Sequence, residues 1–157
     1  MAILNCSDDN QNPDSKTFLE IKLGEKFKSR EEEWQRFSIN FISGKKTINF
    51  NTDKKQAEEI KGLFCLNVSS VNELKQLTQN LSEFIKNEKQ KEFVFETIEP
   101  SFELRISKAH NNAFKVYSWV DSGNTSTIIY TWDALGIRYM TSKENLLKFI
   151  DELTPYT

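Results

Sequence analysis

Hydrophobic and polar positions alternate through much of this chain. Leu19, Ile21 and Leu23 interleave with Phe18, Glu20 and Lys22, the period of a half-buried strand. Lys26 to Glu33 is charged and reads as a loop that closes on Trp34. Phe37, Ile39 and Phe41 then alternate with Ser38 and Asn40, Ser43-Gly44 supplies a turn, and Ile48 and Phe50 alternate on the return strand. That pattern predicts a hairpin. Asp53 predicts the cap of a short helix with Ala57 and Ile60 on its buried face, ended by Gly62. Ser70-Val71-Asn72-Glu73 reads as a capping box for a longer helix, whose apolar stripe is Val71, Leu74, Leu77, Leu81, Phe84 and Ile85.

The second half predicts strands. Phe93 to Ile98 is one, and the alternation of Phe102, Leu104 and Ile106 with Glu103, Arg105 and Ser107 is the next, with Pro100 between them. His110-Asn111-Asn112 turns the chain into Phe114–Val120, and Ser122-Gly123-Asn124 turns it into Thr125–Trp132. A short strand, Ile137 to Met140, leads to a last capping box, Thr141-Ser142-Lys143-Glu144. The helix that follows carries Leu146, Leu147, Ile150 and Leu153 and stops at Pro155. These elements predict an α+β fold: a meandering antiparallel sheet of about seven strands with two main helices and one short one. Residues 1–15 hold few large apolar side chains and read as a flexible arm ahead of a single domain over 16–157.

With 157 residues and 38% hydrophobic content, the chain has the material for one ordinary core without staples. Its start shows neither a basic region nor an apolar segment long enough for export, and no stretch approaches a membrane span, so a cytoplasmic location is expected. A net charge of −2 lacks the basic excess of a dedicated nucleic-acid binder, and no direct nucleic-acid contact is expected.

Candidate chemistry is sparse. The single histidine, His110, falls in a turn. The two cysteines, Cys6 in the polar arm and Cys65 in an apolar run, read as free thiols, one exposed and one buried. One histidine and two distant cysteines do not make a zinc site, no glycine-rich phosphate loop is present, and the Asp/Asn stretch at 8–14 lacks the glycine and closing glutamate of a calcium loop. Glu96, Glu99 and Glu103 are spaced so that they could approach one another across Pro100, and paired carboxylates run glycosidases, but charged residues on an outer strand face are ordinarily solvated. No catalytic residue, metal or cofactor is therefore assigned, and the chain is not expected to be an enzyme.

A binding surface is the better expectation. Glu92, Glu96, Glu99 and Glu103 form a strip with no base between Glu92 and Leu104, suited to a basic partner surface. Tyr117 and Trp119 share a strand face with Lys115 and Asp121, the composition of an interface centre with a charged rim. The candidate contact residues are Glu96, Glu99, Glu103, Tyr117, Trp119 and Asp121.

The segment Phe93-Val94-Phe95-Glu96-Thr97-Ile98-Glu99-Pro100-Ser101-Phe102-Glu103-Leu104 resembles the WapI-type immunity proteins, in which an acidic aromatic strand runs into a Glu-Pro-Asn element; Ser101 stands here in place of the asparagine. Trp34 and the hairpin after it, the helix between Leu66 and Phe84, and the closing strand and helix follow the family's order. The resemblance implies a bacterial protein that binds the C-terminal domain of a polymorphic toxin, often a nuclease, and occludes it. A generic interaction or adaptor domain that uses the Tyr117/Trp119 face is the alternative.

Overall fold

In the computed structural model the described residues are 1–6, 16–43, 46–50, 68–96, 102–121 and 134–157. The architecture is α+β, with every strand pairing antiparallel, and among the described residues the strands form two sheets rather than one. The first sheet comprises β1 (Ala2–Asn5), β2 (Thr17–Ser29), β3 (Glu32–Ser43), β4 (Lys46–Phe50) and β5 (Val68–Ser70). β2 lines one edge of β3, while β4 and β5 share the other, β4 against Ile39–Ser43 and β5 against Trp34–Arg36. The second sheet is a four-stranded meander of β6 (Glu92–Glu96), β7 (Phe102–Lys108), β8 (Ala113–Asp121) and β9 (Ala134–Ser142). Helices α1 (Val71–Lys86) and α2 (Lys143–Leu153) complete the fold.

The core is built by period. Leu19, Ile21, Phe37, Ile39 and Phe41 bury the inner face of the first sheet, and Phe102, Leu104, Ile106, Phe114 and Val116 that of the second. α1 buries Leu74, Leu77, Leu81, Phe84 and Ile85 as its 3.6-residue stripe requires, with Thr78 beside them. All of these belong to one hydrophobic cluster. Phe37 of the first sheet meets Phe102 of the second edge-to-face, ring centres 6.2 Å apart, so the two sheets share one interior.

Several sequence expectations need correction. Residues 2–5 are not part of an arm: β1 pairs with β2 from Ala2↔Ile21 to Asn5↔Phe18, with Ala2 and Leu4 fully buried. A four-residue strand is too short for its alternation to stand out, and it holds here because β9 and α2 fix it. Asn145 Nδ2 donates to the carbonyl of Cys6, Thr141 Oγ1 to that of Asn5, and Glu152 Oε2 accepts from Ile3 N–H. Cys6 is accordingly half-buried against the core rather than exposed. Lys26 to Glu33 is not a loop either. β2 and β3 continue through it, paired Lys26↔Gln35 to Ser29↔Glu32. Arg30 and Glu31 both take positive φ, as the two centre positions of a type I′ hairpin turn require. The register slips by one residue near Gly24, where Gln35 Nε2 donates to the Gly24 carbonyl.

The last helix is capped one residue later than the capping box suggests. Thr141 is buried in β9, and Ser142 is the N-cap, its hydroxyl accepting from Asn145 N–H at 3.2 Å. The buried face is Leu146, Phe149 and Leu153, with Ile150 half-buried and Leu147 exposed. Replacement of Ser142 by alanine is expected to cost about 1 kcal/mol, read as a lower urea midpoint at unchanged m-value. A loss under ~0.3 kcal/mol would show that the cap is not holding the helix. The short helix expected at 53–62, the Ser43-Gly44 turn beyond Ser43, the strand expected at 125–132, and Cys65, Glu99 and Trp132 lie outside the described residues.

Candidate functional site

The outer face of the second sheet gathers most of the residues singled out in sequence. Because β6 pairs with β7 as Val94↔Arg105 and Glu96↔Glu103, and β7 with β8 as Glu103↔Trp119 and Arg105↔Tyr117, these side chains form adjacent rows on one surface. β9 adds Gly136 opposite Trp119, Arg138 opposite Tyr117 and Met140 opposite Lys115. Val94, Tyr117 and Met140 are large apolar or aromatic side chains left exposed, at 43%, 44% and 39%. The acidic strip and the aromatic face, separate in sequence, are thus one surface. Asp121 ends β8 opposite Ala134.

At its centre lies a polar network. Glu103 occupies an outward strand position, yet it is buried. Arg105, two residues on and on the same face, donates from Nε to Glu103 Oε1 at 2.8 Å and from its Nη1 to Glu92 Oε1 at 2.8 Å. Burial pushes the Glu103 carboxyl up, but hydrogen bonds from Arg105, Glu96 and the Trp119 indole, with the Arg105 charge, outweigh it and hold it below the ordinary glutamate value. The hydrogen bond to Glu103 is also the main cause that raises Glu96, followed by burial and repulsion from the same carboxylate. The raised member therefore carries the proton longer, and when protonated it donates to the ionised one. Ser118, inward on β8, donates from its hydroxyl to the Glu103 carbonyl at 2.9 Å and ties the backbone there. Gly136 permits the close approach of β9: a Cβ there would lie 2.4 Å from the Ser118 carbonyl oxygen.

The strip is less acidic than its sequence. Arg105, just beyond the segment, engages Glu92 and Glu103 together, while Glu96 has no cation bonded to it among the described residues. Glu103, with a side chain only 6% accessible, is bonded to Arg105 and Trp119. The direct contact between Glu96 and Glu103 is also closer than the roughly 5 Å or more that separates the carboxyls of glycosidases. Sequence reading missed Arg105, Val94, Arg138 and Met140. The Glu103-Leu104-Arg105 spacing, which places both charges on one strand face, was the available clue for the first.

The opposed shifts give a signed pH dependence. Glu103 has a lowered carboxyl, so its stabilisation is complete above the ordinary glutamate range near ~4.3 and is lost as pH falls through the folded value below it. Glu96 is raised, so its contribution is present at low pH and fades as pH rises through its folded value. Glu103→Gln is therefore expected to be less stable than wild type at neutral pH, with the gap closing as the pH falls below the ordinary glutamate range. Thermal unfolding across that range measures it, and a gap that is constant with pH would remove the network from the account.

Among the described residues no group of histidine, cysteine, aspartate and glutamate is arranged to hold a metal ion, and no helix is long and apolar enough to cross a membrane. The chain matches no family model, no curated protein and no solved structure.

Proposed function

We propose that this protein is an immunity or inhibitor protein that binds a toxin protein domain through the outer face of the second sheet and occludes it. The observation that carries the reading is the composition of that face. Tyr117, Val94 and Met140 are exposed apolar side chains around a fixed Arg105–Glu103–Trp119 network, with Glu96, Lys115 and Arg138 toward the rim. Aromatic, methionine and arginine side chains with a charged surround are what protein interfaces concentrate. A network bonded in advance presents its groups with little left to order on binding. The resemblance of residues 93–104 to the WapI-type immunity proteins narrows the partner to a toxin, and Glu96 offers a carboxyl to a basic cleft. The partner is a protein, and the mechanism is steric cover.

The test is co-purification of the tagged full-length chain with a toxin domain from lysate of its source organism, followed by a toxicity assay. Stoichiometric capture of such a domain, with growth rescued by wild type and not by a Tyr117→Ala/Met140→Ala double variant, is the expected result. Capture of a non-toxic partner through the same face would instead make the chain an adaptor. Rescue by the double variant would move the interface elsewhere.

A further inference from the structure

We propose a second binding site, for a small molecule that carries phosphate groups, in a cleft at the end of the second sheet. The cleft lies where the end of α1, the loop into β6, the β7–β8 turn and the start of α2 converge, and it encloses about 630 Å³. That volume is in the range of small-molecule sites and far above what one ion needs. Lys86, Lys91, Lys108 and Lys143 line it, with Glu88 as its one carboxylate. In a chain of net charge −2 this is a concentrated positive spot.

The charges are unneutralised. Among the described residues none of the four ammonium groups has a carboxylate within ion-pair reach. Two of them bond to neutral groups: Lys108 Nζ donates to the Asn87 carbonyl and Lys91 Nζ to the Glu88 carbonyl at 3.4 Å. Lys108 is further placed by the Phe84 ring, 4.7 Å from Nζ. These contacts fix positions without cancelling charge, so the cleft keeps a field that favours a multiply charged anion. Lys86 and Lys91 are near neighbours in sequence, and the fold brings Lys108 and Lys143 to them.

The remaining lining selects among anions. Ile85, Ala109, Ala113 and Phe114 contribute an apolar wall, with Ile85 and Phe114 nearly buried. A cluster of lysines on apolar ground suits phosphate groups joined to an organic body, such as a nucleoside polyphosphate, better than a bare inorganic ion. The cleft is half-enclosed between elements, unlike the long open stripe a nucleic-acid backbone follows. The site is separate from the sheet face proposed for protein binding, so either assignment can fail without the other.

Titration of the full-length protein with inorganic pyrophosphate and with adenosine triphosphate, each at physiological ionic strength, tests the site. Calorimetry reads affinity, and amide shifts at Ala109, Asn112 and Ala113 read location. Saturable binding of at least one probe is expected, with shifts confined to the cleft. The Lys86→Glu/Lys143→Glu variant, which alters exposed side chains, is expected to bind about tenfold or more weakly, while Lys26→Glu, on the distant hairpin, binds as wild type. Tighter binding of the nucleotide than of pyrophosphate supports the proposal, because the apolar wall then adds to the lysines, and equal or tighter binding of pyrophosphate overturns the preference for an organic body. The site itself is overturned if neither probe binds, if the double variant binds as well as wild type while its spectrum shows a native fold, or if only a DNA duplex shifts these amides.

Discussion

Phe84→Ala is expected to remove about 3–5 kcal/mol of folding stability, the range for truncating a fully buried phenylalanine. Phe84 is 0% exposed on α1 and meets Phe93 of β6 and Phe114 of β8, each with ring centres 6.0 Å apart, the Phe114 contact edge-to-face. It joins the helix to two different strands of the second sheet. Neither ring can swing far enough to fill the void without losing its own strand position, so the loss should sit toward the upper end of the range. Against a typical stability of ~5–15 kcal/mol, that is enough to leave some of the chain unfolded at ambient temperature. Urea denaturation measures it, with Val94→Ala on the exposed outer face as a control expected to stay within ~0.5 kcal/mol. A Phe84→Ala loss under ~1 kcal/mol would mean that α1 does not close the core here.

The core strands were legible because a strand with one buried face writes its period directly into the sequence. Leu19 and Ile21, then Phe37, Ile39 and Phe41, then Phe102, Leu104 and Ile106 all fall on the buried side expected of them. The same rule hid the outer half of the long hairpin. Between Gly24 and Glu33 neither face is deeply buried, so there is no alternation to read, and its turn uses Arg30-Glu31 where Asn-Gly would have announced it. β1 and the cap of α2 depend on each other across the length of the chain. Thr141 and Ser142 are both good caps in isolation, and only the bond from Thr141 to Asn5 in β1 decides between them. A single sheet was expected where there are two because strand period says nothing about which strands share hydrogen bonds.

The candidate face was legible in parts. Alternation alone put Tyr117 and Trp119 together and put Glu96 and Glu103 on an outer surface, and the register unites the two pairs. Sequence could not show that Glu103 would be buried. Its outward position predicts a solvated carboxylate, and its burial is sustained by donors from β6, β7 and β8 that reach it in the folded sheet.

Tyr117→Ala is expected to weaken binding of the proposed toxin partner by about 30-fold or more, the roughly 2 kcal/mol that marks an interface hot spot. Tyr117 is the better probe than Trp119, because the Trp119 indole also serves Glu103 and its loss would disturb the network. Tyr117 lies opposite Arg105 and Arg138 in the register and is 44% exposed. Its ring is therefore free to be buried by a partner and adds little to the core, so the variant should unfold within ~0.5 kcal/mol of wild type. Lys115→Ala, next on the same face, is expected to change affinity by no more than about threefold, as rim charges do, and chiefly through the association rate. Surface plasmon resonance with the captured domain separates the two, since loss of an anchor appears in dissociation and loss of a rim charge in association. If Tyr117→Ala binds within about twofold of wild type, the outer face of the second sheet is not the interface, however well its composition suits one.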